Sequence, residues 1–167
     1  LSQLRKKQVE QSSHSQTDLA ITIKKVVDQC NLSLPKVEFE VEGDCSTFID
    51  NESFQSVMHH LIQNAKEATA SDGLIKVTAV EKKRIIRIII EDNGSGMSEE
   101  FIKNRLFKPF DTTKGNAGMG IGVFEAKQFI ENMAGIIKVT SELKKGTMFT
   151  IDLPRRTSGA ISGQDLL

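Results

Sequence analysis

The stretch RIIRIIIEDNGSGM, residues 84–97, runs from a β-branched segment directly into a turn of Asp, Asn and Gly. Another β-branched segment, residues 74–80, precedes it across a Glu-Lys-Lys turn, so the two predict a β-hairpin. Residues 136–141 and 147–153 form a second pair, joined by a Lys-Lys-Gly turn. The sequence therefore predicts a largely antiparallel sheet built from hairpins.

Three helical segments are interspersed with these hairpins. Apolar residues recur at helical spacing over 18–29, 51–69 and 121–135, and Asp18 and Asp50 are the predicted N-caps of the first two helices. The other predicted elements are a strand over 37–41, a short helix over 98–105 and a Gly-rich loop over 107–118. This pattern predicts an α+β fold with the helices on one face of the sheet.

Composition excludes several classes of protein. The chain has 167 residues, which fits one domain, and 22 Lys and Arg balance 22 Asp and Glu. Zero net charge gives no electrostatic basis for a nucleic-acid partner, and no apolar run is long enough to span a membrane. The two cysteines, Cys30 and Cys45, form no metal motif or disulfide framework, so we expect a cytoplasmic location.

Four segments contain candidate functional residues, and each also has a purely structural interpretation. A lone Asn such as Asn64 is more typical of a solvated helix face than of a ligand site, and residues 92–96 taken alone are typical of an ordinary hairpin turn. The glycines of 118–122 suit any loop that needs positive φ, and Phe107 and Phe110 suit a small satellite core.

A nucleotide site explains why these residue types occur together. Glycines at the start of a helix expose N–H groups that bind phosphates, and a carboxylate just after a buried strand accepts a hydrogen bond from the adenine amine. Asn64 offers an amide oxygen for Mg²⁺, and Lys114 a charge for the terminal phosphate. The P-loop, dinucleotide and eukaryotic kinase motifs are absent from the sequence.

The ordered motifs HHLIQNAKEA (59–68), EDNGSGM (91–97), FKPFDTTKG (107–115), GMGIGVFEAKQFIENMAG (118–135) and GTMFTIDLP (146–154) resemble the N, G1, F, G2 and G3 boxes of the GHKL superfamily. The resemblance covers residues 18–154 and is closest to the ATP-binding domain of bacterial sensor histidine kinases. Residues 107–122 further resemble kinases associated with the PEP-CTERM, exosortase-linked system. The implied structure is the Bergerat fold, a two-layer α/β sandwich with three main helices on a mixed, mostly antiparallel sheet.

The resemblance also implies roles for individual residues. Asn64 matches the Mg²⁺ ligand, Asp92 the adenine-binding aspartate, and Lys114 the phosphate-facing end of the lid. The other residues implied in nucleotide binding are Gly94, Gly96, Met97, Phe107, Phe110, Gly118, Gly120, Ile121, Gly122 and Thr147. ATP and Mg²⁺ are the implied ligands, and Asn64, Lys114 and His60 are the catalytic candidates.

Two positions depart from the pattern. ATP-hydrolysing members carry a Glu one turn before the N-box Asn, where this chain has His60, so transfer to a protein is favoured over hydrolysis. Many histidine kinases carry a basic residue three positions after that Asn, where this chain has Glu67. We therefore expect Lys114 to supply more of the charge near the phosphates.

None of the three histidines precedes Glu or Asp, as a phosphoacceptor typically does. We therefore expect residues 1–17 to be the end of a dimerisation and phosphoacceptor helix plus a linker, 18–154 the catalytic domain, and 155–167 a disordered tail. The expected partners are the dimerisation domain of the same kinase and a response regulator, with this fragment monomeric. The full-length kinase is expected to be anchored in the inner membrane. The alternatives are a nucleotide-gated interaction module and an anti-sigma-type serine kinase.

Overall fold

The computed structural model describes residues 14–109 and 119–157, with side chains described from residue 122 onward in the second range. The elements are β1 His14–Asp18, α1 Leu19–Cys30, β2 Val37–Glu42, β3 Ser46–Asp50, α2 Asn51–Ala68, β4 Ile75–Glu81, β5 Ile85–Asp92, α3 Glu99–Phe101, a π-helical turn Ile102–Leu106, α4 Met119–Asn132, β6 Ile136–Glu142 and β7 Gly146–Pro154.

Five strands form the main sheet, in the order β2-β4-β5-β7-β6. Strands β2 and β4 are parallel, and the other neighbours are antiparallel, which confirms the predicted mixed, mostly antiparallel sheet. Side chains alternate along the strands, so Ile88 on β5 and Ile151 on β7 are buried together on one face. On the other face Arg87 forms an ion pair with Asp152, with Nε and Oδ1 2.8 Å apart.

The three long helices cover the buried face of the sheet and form the second layer. Their inward residues are fully buried, among them Ile23 on α1, Leu61 on α2 and Ala126 on α4. The predicted N-caps are also present, since Asp18 and Asp50 accept hydrogen bonds from the second residues of α1 and α2. The predicted α+β, two-layer α/β sandwich is therefore confirmed.

A buried lysine connects α2 to the end of α1. The Lys66 ammonium donates to the Cys30 carbonyl, to the Ser33 carbonyl at 2.7 Å and to the Ser33 hydroxyl at 3.0 Å. These acceptors lie at the end of α1 and in the loop after it, where helix carbonyls lack intrahelical partners. Lys66 thus fixes this loop against α2.

Strands β1 and β3 were not predicted, and they pair with each other in a separate antiparallel two-stranded sheet. The Ser-rich stretch expected to be a linker is a strand from His14 to Asp18 in its described part. Its polar sequence carries no apolar alternation, so cross-strand pairing rather than pattern determines its structure.

The expectation of a frayed chain from Arg155 onward is also wrong for the first residues. The Arg156 N–H donates to the Thr47 hydroxyl at 2.8 Å, and its guanidinium donates to the Met133 carbonyl at 2.7 Å. Residues 1–13 and 158–167, the remainder of the two predicted terminal segments, lie outside the described residues. The domain boundaries therefore remain predictions.

The short helix predicted over 98–105 begins as expected but has two parts. The Ser98 hydroxyl accepts a hydrogen bond from the Phe101 N–H at 3.1 Å, and a π-helical turn follows α3 directly. Of the helices in the described ranges, none combines the length and the apolar character needed to cross a membrane.

Candidate functional site

One row of polar side chains crosses three strands at the end of the sheet where β5 stops. Asp92 on β5 is paired with Thr147 on β7, and Thr147 is paired with Ser141 on β6. Directly paired residues project from the same face of a sheet. The row therefore lies on the face covered by the helices, where polar groups need hydrogen-bonding partners.

The Asp92 carboxyl is buried, with 8% of the residue exposed. Burial raises its pKa above the usual value, and backbone hydrogen bonds from Gly94 and Thr147 oppose that rise. The Gly94 N–H lies 2.9 Å from Oδ1. Within the described part of the chain Asp92 forms no ion pair with a cation, so the carboxylate is a buried acceptor suited to a neutral N–H donor.

The turn after Asp92 is held against two other elements. The Ser95 N–H donates to the Ala68 carbonyl at the end of α2 at 2.9 Å, and the Lys144 N–H donates to the Ser95 carbonyl at 2.7 Å. A Cβ on Gly94 would lie 2.3 Å from the Ala68 carbonyl oxygen. Gly96 has a φ of +68°, and a Cβ there would lie 2.0 Å from the Glu142 carbonyl oxygen. Close backbone packing therefore requires both glycines.

Asn64 lies on α2 between two points where that helix contacts the rest of the site. One turn later, Ala68 contacts the Asp92 turn. One turn earlier, His60 packs against Gly122 near the start of α4, where an added Cβ would lie 3.2 Å from the imidazole Nδ1. Asn64 is half-buried, and within the described residues its side chain forms no hydrogen bond. Its amide oxygen is therefore available to a ligand between these two contacts.

The other predicted residues fall into three groups. Phe107 is half-buried, with the Lys127 ammonium of α4 4.7 Å from its ring centroid, and Met97 packs against the core. Gly120 and Ile121 belong by backbone to the first turn of α4, which begins at Met119. Phe110, Lys114 and Gly118 lie outside the described residues, and their predicted roles stay predictions.

Ser141, which completes the row, was not among the residues predicted from the sequence. Its hydroxyl accepts from the Met97 N–H at 2.7 Å, lies 2.8 Å from the Thr147 hydroxyl and donates to the Gly146 carbonyl at 2.9 Å. The signal that was available is a polar residue on the inward face of β6, in phase with Ile137 and Val139.

This site lies within a recognisable family. Residues 49–157 match the family described as histidine kinase-, DNA gyrase B- and HSP90-like ATPase. The chain belongs to this family. The match includes the whole Asp92 row, α2 and the described part of α4, so every site residue discussed above is a residue of the family domain.

Curated relatives of this ATPase-family domain are much longer proteins than this chain. Sporulation kinase A of Bacillus subtilis (strain 168) is 34% identical over 130 residues, 77% of this chain and 21% of the relative. Sensor protein EvgS of Escherichia coli (strain K12) is 32% identical over 122 residues, 68% of this chain and 10% of the relative. The chain thus spans about a fifth or less of the length of these relatives.

Solved structures show the same fold. The nucleotide-free catalytic domain of histidine kinase ThkA is 26% identical, with a TM-score of 0.69 over 86% of this chain and 96% of that one. Full-length ShkA in complex with AMPPNP is 20% identical, with a TM-score of 0.75 over 89% of this chain and 32% of that one.

Proposed function

We propose that this chain is the catalytic ATP-binding domain of a two-component sensor histidine kinase. It binds ATP with Mg²⁺ and transfers the γ-phosphate to a histidine on a dimerisation domain of the same full-length protein. The observation that carries the proposal is the buried Asp92 carboxylate, which has two backbone donors and no cation among the described residues. Family membership supports it, as do relatives that include a sporulation kinase and a sensor protein.

The residues of the site fit a purine nucleotide at the Asp92 end. Asp92 accepts from the exocyclic amine of adenine, and Thr147 lies beside it on β7. A buried carboxylate gains most from a neutral donor that replaces water, which supports the assignment of Asp92 to the adenine amine. AMPPNP bound to full-length ShkA, which shares the fold, agrees with this assignment.

At the phosphate end, Asn64 offers an amide oxygen for Mg²⁺, while Lys114 and the glycines at 118–122 offer charge and N–H donors to the phosphates. Within the described part of the chain, no cluster of three or more His, Cys, Asp or Glu side chains forms a metal site. Mg²⁺ bound mainly through phosphates and water is consistent with a single protein ligand, since Mg²⁺ retains much of its hydration.

The reaction that these residues support is phosphoryl transfer by positioning and charge neutralisation. His60 lies one turn before Asn64, in the place of the Glu that activates water in hydrolysing relatives. Its imidazole packs against Gly122, so it links α2 to the start of α4. The partners proposed for this domain are the phosphoacceptor domain and a response regulator, in the cytoplasm.

The decisive experiment supplies the missing acceptor. The domain, the separately expressed acceptor hairpin of its own kinase, ATP labelled at the γ-phosphate and Mg²⁺ are mixed, and label on the hairpin is measured. We expect acid-labile, base-stable label, and its loss with Asp92→Ala and Asn64→Asp but not with Glu91→Gln, whose carboxylate is exposed on the other face.

Two results would favour one of the alternative functions over a histidine kinase. Acid-stable label would indicate a serine kinase. Nucleotide binding without any transfer would indicate an interaction module gated by ATP. Failure of ATP and Mg²⁺ to raise the melting temperature of the domain would remove the basis for all three.

A further inference from the structure

The Ser141 hydroxyl takes part in three hydrogen bonds next to the proposed base site. The Met97 N–H is 2.7 Å from it, the Gly146 carbonyl 2.9 Å and the Thr147 hydroxyl 2.8 Å. All three distances are those of good hydrogen bonds. The partners are Met97, at the end of the turn after Asp92, and the first two residues of β7, so the hydroxyl connects the segment after β5 to the start of β7.

Counting protons determines the direction of each bond. A serine hydroxyl has one proton and two lone pairs. A backbone N–H only donates, so Ser141 accepts from Met97, and a carbonyl only accepts, so the Ser141 proton goes to Gly146. Only a lone pair remains for the third bond. The Thr147 hydroxyl must therefore donate its proton to Ser141.

This direction determines what Thr147 presents to a ligand. Its one hydroxyl proton points toward Ser141, away from any other partner, and only its lone pairs remain free. Asp92 is its direct partner across β5 and β7, with Cβ atoms about 5 Å apart in such pairs, and the Thr147 N–H donates to the Asp92 carboxylate. Two side-chain oxygens that only accept thus lie next to each other.

We infer that Ser141 is a positioning residue that holds Thr147 as a hydrogen-bond acceptor and so makes the base site select adenine over guanine. Adenine presents an exocyclic amine, which donates to both oxygens. Guanine and hypoxanthine present O6 at the same place, which only accepts, so a second acceptor oxygen opposes them. This inference rests on the proposed function, because it assumes that the Asp92 row binds the base of a nucleoside triphosphate.

The test measures Kd for ATP and for GTP, each with Mg²⁺, by titration calorimetry on the wild type and on Ser141→Ala. Without Ser141 the Thr147 proton is free to rotate toward O6. We expect the ratio of the GTP Kd to the ATP Kd to fall about tenfold, which corresponds to about 1.4 kcal/mol. Thr140→Ala, one residue away on the opposite, exposed face of β6, is the matched control and should leave the ratio unchanged.

Further variants separate this role from simple support of the turn. If Ser141 only supported the turn, its loss would weaken the binding of ATP and of GTP by the same factor. Ser141→Thr keeps the hydroxyl and should keep the ratio, whereas Thr147→Val removes the acceptor and should lower it. If Ser141→Ala does not fold, the ratios measured for Ser141→Thr and Thr147→Val test the inference in its place. In the Thr147→Val background, Ser141→Ala should cause no further change in the ratio.

Several outcomes would overturn the inference. One is an unchanged ratio in Ser141→Ala, or in Thr147→Val where the first variant does not fold. Another is a wild type that binds ATP and GTP equally, which would leave the proposed ATP site intact. A wild type that binds neither nucleotide would overturn the proposed function and this inference together.

Discussion

Asp92→Asn separates the contribution of the carboxylate to ATP binding from its contribution to folding. The substitution preserves size, and the amide oxygen still accepts from the Gly94 N–H. The amide nitrogen replaces the second oxygen and turns a donor toward the adenine amine. Losing a hydrogen bond to a charged group costs about 1.5–3 kcal/mol, so we expect the ATP Kd to rise about 10- to 150-fold.

The same substitution should not destabilise the ligand-free domain, although it weakens ATP binding. Burial raises the pKa of Asp92, which means that its charge opposes folding at neutral pH. The amide removes that cost, so the melting temperature without nucleotide should stay equal or rise. Titration calorimetry and thermal denaturation at pH 7.5 measure the two effects, with Glu91→Gln as the control. An ATP Kd within twofold of the wild type, or a fall of several degrees in the melting temperature, would refute the reasoning.

Three further perturbations test other parts of the structure. Gly146→Ala should lower the free energy of unfolding in urea by at least about 2 kcal/mol, because φ is +131° and the Cβ would lie 1.9 Å from the Asp92 carbonyl oxygen. Lys66→Met should cost about 2–4 kcal/mol by the same assay, since it removes three bonds to the end of α1 and the loop after it. Lys76→Met, at an exposed ion pair, is the control and should change the free energy of unfolding far less. As pH falls through the raised pKa of Asp92, the ATP affinity of the wild type should weaken more steeply than that of Asp92→Asn. Over the same pH window the ligand-free wild type should gain stability relative to that variant, because its folded state binds a proton more tightly than its unfolded state does.

The elements that could be predicted from the sequence are those whose stability comes from their own residue pattern. The Asp18 and Asp50 caps, the hairpin of β4 with β5, and the long helix α2 all have local signals, and the structure contains each of them. Asp92 was also selected as a candidate from the sequence, because an acidic residue at the end of a predicted buried strand is a local feature, and its role in binding adenine remains a prediction.

Long-range partners explain what was missed. Strand β1 is polar and exists through its pairing with β3, and Arg156 is held in place because Thr47 and Met133 accept hydrogen bonds from it. Lys66 looks like a solvated helix residue until its acceptors beyond α1 are known. Ser141 likewise gains its importance from Met97, 44 residues earlier in the chain. None of these contacts has a periodic signature.

The most direct test of the central claim, that a nucleotide base binds at Asp92, is an amide NMR titration with AMPPNP and Mg²⁺. The amides of Gly94 and Thr147, which donate to the Asp92 carboxylate, should show the largest shifts among residues 14–109 and 122–157, and these shifts should disappear in Asp92→Asn at the same ligand concentration. The amides of Lys83 and Arg84, at the opposite end of β5, should not move. Shifts concentrated at Lys83 and Arg84, with Gly94 and Thr147 unchanged, would contradict the account.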